Sequence, residues 1–279
     1  MWGTLTESDS LRVPHTHNGG SPGASLVSGT AKEYTVLMLT TMGFKAGSCV
    51  LVTGAGSGIG RAIALGAAES GVAVAAWDLD PAAVAGLAEE SSGAVLPVEA
   101  DAADPASVKT ALDRTLAWRT PGMLVNNAGP SSQRPRPFAD GVAGVLGLVE
   151  LVTTSWLDRV RERAEAVVNV ASIAGTVIGG GVSWYSAAKA GVLGYTRYLA
   201  AEAPFGVRVN AVAPGLVETP RMKEFLPSET GRRMVGRTPR GRAVQPAEVA
   251  AAVLFLASPL AGGITGAVVP VDAGLSVTV

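Results

Sequence analysis

Tyr185 and Lys189 stand four residues apart in Tyr185-Ser186-Ala187-Ala188-Lys189, at the head of an alanine-rich stretch that reaches Ala203. On a helix that spacing puts both side chains on one face, a turn apart. A phenol with a pKa of ~10 is a poor base at neutral pH, and lowering it by roughly three units takes about 4 kcal/mol. One ammonium about 4 Å away, at an effective dielectric of about 20, supplies energy of that order. Tyr185 therefore reads as a proton donor and acceptor tuned by Lys189. Upstream, Asn169-Val170-Ala171-Ser172 closes an apolar run and sets the Ser172 hydroxyl at a strand's carboxyl end. That edge is where open α/β sheets bind ligands.

A second group of residues reads as a phosphate cradle. Thr53-Gly54-Ala55-Gly56-Ser57-Gly58-Ile59-Gly60 lies between the apolar run Cys49-Val50-Leu51-Val52 and an alanine-rich segment of helical pattern. Glycines there let the backbone turn sharply and approach a pyrophosphate, which rests on the helix N-terminus. No Gly-Lys-Ser/Thr follows, which argues against a nucleoside-triphosphate loop. The next apolar run ends Ala76-Trp77-Asp78. A carboxylate at that place accepts hydrogen bonds from an adenosine ribose and repels a 2′-phosphate, and neither Ser57 nor Leu79 offers a compensating cation. The reading is NAD rather than NADP; the alternative makes Asp78 a strand-end residue that caps the following turn.

The elements that must position these groups follow from the pattern. Short apolar runs at 49–52, 72–77, 95–98, 123–125, 167–170, 207–212 and 267–271 alternate with longer amphipathic segments. Asp80-Pro81 and Asp104-Pro105 each combine an N-capping carboxylate with a proline at the first helical position. Strands apolar on both faces and separated by helices imply an α/β fold with a doubly wound parallel sheet. Residues 42–279 read as one domain, and the Ser-, Thr- and Gly-rich residues 1–41 as a flexible N-terminal extension.

Composition narrows the class further. A net charge of −1 lacks the basic footprint of a nucleic-acid binder. The single cysteine, Cys49, forms no intrachain disulfide and points to a reducing, cytoplasmic setting. No run of 18 or more apolar residues occurs, so no membrane-spanning helix is expected. His15 and His17 read as solvated side chains, and no metal site is expected.

Asn126-Asn127-Ala128-Gly129 closes another strand, Ala213-Pro214-Gly215-Leu216-Val217-Glu218-Thr219 follows a third, and Ile264-Thr265-Gly266 and Val271-Asp272-Ala273-Gly274 come last. Taken in order, these motifs resemble the short-chain dehydrogenase/reductase family over residues 42–279. The resemblance implies a three-layered Rossmann fold. It implies that Ser172 hydrogen-bonds the substrate oxygen, that Tyr185 transfers the proton, and that Lys189 holds the cofactor's ribose hydroxyls. Gly54, Gly58 and Gly60, with Ser57 and Ile59 beside them, would line the pyrophosphate. Asp101 would touch adenine, and Asn127 would lie near the ribose, with Ala128 and Gly129 continuing that wall. Val217 and Thr219, after Pro214 and Gly215, would hold the carboxamide. The segment 215–245 would form a mobile lid, and the Tyr185 helix would pack across a two-fold axis in a homodimer or homotetramer.

One position departs from the family pattern. The helix before Ser172 usually carries an asparagine behind the lysine, whereas this chain reads Gly141-Val142-Ala143-Gly144-Val145-Leu146-Gly147, with Gly144 at the equivalent site. Arg221, Arg232, Arg233, Arg237, Arg240 and Arg242 crowd the lid, either to hold an anionic group or as a solvated face, and Arg134 and Arg136 border the same entrance. Ile173, Val177, Val182 and Leu216 point to a hydrophobic substrate, and Trp184 either lines the pocket or packs on the sheet edge. The function expected is an NAD-dependent oxidoreductase that interconverts a secondary alcohol and a ketone. The alternative, motivated by the missing asparagine, is an NAD-binding regulatory or scaffolding protein. A methyltransferase with a related glycine loop would leave Tyr185 and Lys189 unexplained.

Overall fold

Seven short runs rich in valine and alanine form the sheet that the alternating pattern predicts. They are β1 (Cys49–Thr53), β2 (Ala73–Asp78), β3 (Val95–Glu99), β4 (Met123–Asn126), β5 (Ala166–Val170), β6 (Arg208–Pro214) and β7 (Val268–Val271). All pairs are parallel, in the order β3-β2-β1-β4-β5-β6-β7. The computed structural model of the chain describes residues 42–91, 94–132, 135–176 and 182–278. The expected extension 1–41 with His15 and His17, and also Arg134 and Val177, lie outside the described residues.

The helices are α1 (Gly58–Glu69), α2 (Pro81–Glu90), α3 (Pro105–Trp118), α4 (Phe138–Val142), α5 (Leu148–Val160), α6 (Ser183–Glu202), α7 (Glu229–Gly236) and α8 (Pro246–Ala257). The two Asp-Pro signals act as read. Asp80 accepts from the N–H groups of Ala82 and Ala83 at the start of α2, and Asp104 from Ser107 at the start of α3. At α8 the Glu248 carboxylate reaches back to the Gln245 N–H.

Strand alternation sends neighbouring residues to opposite faces. Val50 and Val52 join a core with Ile63 and Ala64 of α1, Leu87 of α2 and Val253 of α8. Leu51 faces the other way, into a core with Leu112 of α3, Val152 and Trp156 of α5 and Val192 of α6. The result is three layers, with α1, α2 and α8 on one side and α3, α5 and α6 on the other. The chain builds outward from β1 to β3 and then returns to β4 on the opposite side of β1. A crevice opens at such a reversal, at the carboxyl ends of the strands.

Between α4 and α5 one turn, Ala143–Gly147, is a π-helix. The helical run Phe138–Arg163 is long and apolar enough to cross a membrane by length and composition, contrary to the expectation that no helix would be. Its apolar side is used in the core instead, where Val145, Val149, Val152, Trp156 and Val160 are all buried.

Candidate active site

β1 ends at Thr53, and the chain turns at Gly54 with φ of 65°, a backbone that glycine adopts without strain. A Cβ on Gly60 would stand 2.0 Å from the Gly54 carbonyl oxygen and 2.5 Å from Asn127 Nδ2. Gly60 thus lets helix and loop touch. It does not border the open cavity, unlike the other glycines expected at the pyrophosphate. The Asn127 amide donates to the Thr53 and Gly54 carbonyls, at 3.1 and 3.0 Å. It pins the loop from the cavity wall, where the ribose was expected to lie near it. Ser57 makes no side-chain cap, so the first-turn N–H groups of α1 carry no side-chain partner from it.

Asp78 does two jobs. Its Oδ2 accepts from the Gly56 N–H at 2.8 Å, and its Oδ1 from the Asp80 N–H at 3.1 Å. The strand-end carboxylate therefore caps the following turn and also ties down the glycine loop beside the cavity.

That cavity measures ≈ 510 Å³. Asp78 and Asp101 border one end; Gly54, Ser57, Gly58 and Ile59 follow; Ser172, Tyr185 and Lys189 border the other. Asn127, Ala128, Gly129, Pro214, Gly215, Val217 and Thr219 complete the walls. Residues from six strand ends are thus brought together, and of the positions expected in the site only Gly60 stands back from it.

At the far end Lys189 Nζ donates to the Val170 carbonyl at 2.7 Å and lies 5.8 Å from the centre of the Tyr185 ring. Burial, with the Arg221 charge adding to it, lowers the Lys189 pKa to about 8. Burial lifts the Tyr185 phenol above its ordinary range, against a hydrogen bond with Ser172 and the Arg221 charge, which both lower it. Lys189 was expected to lower this phenol, with the nicotinamide's charge adding to it; in the protein itself burial outweighs the charges beside the ring. Arg221 is a second cation beside the hydroxyl. Arg221 reaches the Gly129 carbonyl at 3.3 Å across the cavity mouth. The Ser172 hydroxyl is held by the Ala174 N–H at 3.2 Å.

A buried polar chain beneath the site escaped the sequence reading. Thr153 of α5 receives a hydrogen bond from Asn126 Nδ2, which also donates to Asn169 Oδ1, and Asn169 Nδ2 donates to Thr196 of α6, each at 2.9 Å. All four residues are at most 1 % exposed. Asn126 and Asn169 sit directly opposite each other on β4 and β5. Two asparagines in otherwise apolar strands, each just before a motif, were the available signal. The chain fixes α6, and with it Tyr185 and Lys189, against the strand ends.

Other expectations shift. Trp184 is 2 % exposed and packs on α4, where a Cβ at Gly141 would fall 2.4 Å from its ring. Ile173 and Leu216 are buried with Ala213, Ala243 and Leu275, and Val182 packs against the core beside α6. None of the three borders the cavity, so they lend no support to a hydrophobic substrate, and Val177 lies outside the described residues. The substrate end is walled instead by Pro130, Arg136, Gly144, Val145, Leu148 and Arg221. Of the lid arginines, Arg232 and Arg242 border a second cavity of ≈ 870 Å³ behind Thr219, and Arg242 pairs with Glu248 at 2.6 Å. Val217 and Val244 form a bridge within the segment 215–245 expected as a lid. Among the described residues no cluster of three or more His, Cys, Asp or Glu side chains could hold a metal ion.

The chain matches, over residues 54–276, the family described as enoyl-(acyl carrier protein) reductase. It is 35 % identical to a 3-oxoacyl-(acyl-carrier-protein) reductase of Thermotoga maritima, over 82 % of this chain and 98 % of that protein. It is 39 % identical to the cis-4-hydroxycyclohexanecarboxylate dehydrogenase of Sinomonas cyclohexanicum, over 80 % of this chain and 94 % of that protein. Among solved structures, a 3-ketoacyl-(acyl-carrier-protein) reductase from Brucella melitensis complexed with NADH superposes with a TM-score of 0.75 at 34 % identity. That match covers 82 % of this chain and 98 % of the other. Parallel sheet, motif order and similarity along the described chain agree: the protein belongs to the short-chain dehydrogenase/reductase family, oxidoreductases of alcohols and ketones that use a nicotinamide cofactor.

Proposed function

We propose that the protein interconverts a secondary alcohol and a ketone, with NAD preferred to NADP. One observation carries this reading: Ser172, Tyr185 and Lys189 converge at one end of a cavity whose other end holds Asp78 against a glycine loop. The residues fit a dinucleotide. The left-handed turn at Gly54 and the uncapped start of α1 offer backbone N–H groups to a pyrophosphate. Asp78 has lone pairs left for ribose hydroxyls and would repel a 2′-phosphate. When bound, the nicotinamide accepts or supplies the hydride at the carbinol carbon.

The chain's own groups do the rest. The Ser172 hydroxyl holds the substrate oxygen, and the Tyr185 hydroxyl delivers or removes the proton at that oxygen. Lys189, anchored by the Val170 carbonyl, presents its remaining N–H groups to ribose hydroxyls. Its charge, that of Arg221 and that of an oxidised nicotinamide all favour the phenolate, opposing the desolvation that raises Tyr185. The protein acts on a small molecule as a homodimer or homotetramer. A second reading, an NAD-binding protein without turnover, is favoured by Gly144 standing where the family carries an asparagine.

Reduction of NAD by a panel of secondary alcohols separates the two readings. Turnover that falls about 10²- to 10⁴-fold in Tyr185→Phe supports the enzyme. Tight NAD binding with no turnover across the panel supports the second reading, and a Tyr185→Phe protein with full activity refutes the assigned proton transfer.

A further inference from the structure

At the substrate end, the place where an asparagine was expected is filled from elsewhere. Gly144 has no side chain, and 3.5 Å from where its Cβ would stand lies Nη1 of Arg136, delivered by the loop before α4. The guanidinium lies over the Trp184 ring, 5.4 Å from its centroid, and Trp184 in turn meets the Tyr185 ring edge-on at 5.7 Å. The glycines at 141 and 144 make the arrangement possible, one admitting the indole and the other the guanidinium. Arg136 borders the cavity together with Ser172, Tyr185 and Arg221.

Two features of this corner call for an acceptor. Arg136 Nε, on a side chain that borders the cavity, is buried and has no hydrogen-bond partner. A buried N–H left unpaired costs free energy that a ligand's acceptor recovers. Nor is the charge balanced by the protein. The ion pairs among the described residues are Arg61–Glu90, Lys109–Asp113, Arg159–Asp113 and Arg242–Glu248, none of them at this end. The carboxylates bordering the cavity, Asp78 and Asp101, stand at its opposite, β2–β3 end. Lys189, Arg136 and Arg221 thus face the reacting position with no protein anion among them. The pyrophosphate cradle of Gly54 and Gly58 opens α1, which packs on one face of the sheet, whereas Val145 and Leu148 of this wall pack on the other, and the anion missing here is assigned to the substrate.

We propose that Arg136, stacked on Trp184 in the space left by Gly144, forms with Arg221 a subsite for the carboxylate of a hydroxy- or keto-acid whose reacting carbon lies at Ser172 and Tyr185. A guanidinium presents a planar fork that matches a carboxylate, which a thioester or a neutral alcohol does not offer. The inference rests on the oxidoreductase reading above and deepens it.

The test uses hydroxy acids of graded length, 3-hydroxybutyrate, 4-hydroxypentanoate and 4-hydroxycyclohexanecarboxylate, each beside its methyl ester. The expected result is that at least one acid exceeds its ester in kcat/KM by about 10- to 100-fold, the worth of one charge-assisted hydrogen bond. That ratio falls towards one in Arg136→Gln and partly recovers in Arg136→Lys. Equal use of acid and ester at every length, or a ratio untouched by Arg136→Gln, overturns the subsite while turnover of the esters leaves the oxidoreductase reading standing. Calorimetric titration with cyclohexanecarboxylate, which has no hydroxyl to react, reads the subsite without turnover. Binding weakened in Arg136→Gln supports it, and equal affinity in both proteins overturns it.

Discussion

Lys189 is charged, buried and hydrogen-bonded to one carbonyl, and that combination leaves a signature in the pH dependence of stability. Its pKa in the folded chain is about 8, against an ordinary 10.5. The unfolded chain therefore binds this proton more tightly than the folded one, and the charged lysine opposes folding at pH 7. As pH rises through 8 the folded state sheds the proton first, so stability is gained up to about 10.5. With those two values the gain between pH 7 and pH 10 is about 2.5 kcal/mol, from the linkage relation at 1.36 kcal/mol per unit. Cys49 and Tyr195, both pushed up to about 12 by burial, act in the opposite sense over the same alkaline range. Only the comparison with Lys189→Met, which shares those two groups, isolates the term. Urea unfolding of both cofactor-free proteins at pH 7 and pH 10 measures it. The wild type is expected to gain about 2.5 kcal/mol on the variant between those pH values. A gap that stays constant would refute the burial argument for Lys189, and with it the account of why Tyr185 needs more than one cation.

Further expectations come from other parts of the site. Gly60→Ala would drive a methyl against the Gly54 carbonyl, lowering stability by about 1–3 kcal/mol and weakening NAD binding, both read from thermal unfolding with and without NAD. Asn169→Ala removes two links of the buried polar chain and strands the Asn126 donor, at a cost of about 2–4 kcal/mol in urea unfolding. Asp78→Ala would take away the carboxylate that disfavours a 2′-phosphate, and the NAD-to-NADP ratio of kcat/KM is expected to fall at least about tenfold; an unchanged ratio would remove Asp78 from cofactor choice.

Much of the architecture was readable because a parallel sheet buried on both faces leaves short valine- and alanine-rich runs that nothing else in the chain imitates. The strand ends were readable for the same reason, since Asp78, Asn127, Ser172 and Gly215 each stand at or within two residues of the end of such a run. What the string of letters did not carry was depth and register. Spacing places Tyr185 and Lys189 on one helix face, but not how dry that face is, and dryness sets the sign of the Tyr185 shift. Ile173 and Leu216 adjoin site residues in sequence yet turn into a separate cluster beneath the lid. The Asn126–Asn169 pair becomes visible only once β4 and β5 are placed side by side. Arg136 meets Gly144 across a loop, a contact that no local pattern encodes.

The π-turn at Ala143–Gly147 amounts to one surplus residue spliced into an otherwise regular rod. Since each residue advances an α-helix by about 100°, excising one there would leave Trp156 and its neighbours seated while spinning α4 out of phase. The notch at Gly141 would swing away from the indole, and the loop bearing Arg136 would follow. A single-codon deletion in this wall of the substrate end is thus a route by which the scaffold exchanges one substrate preference for another.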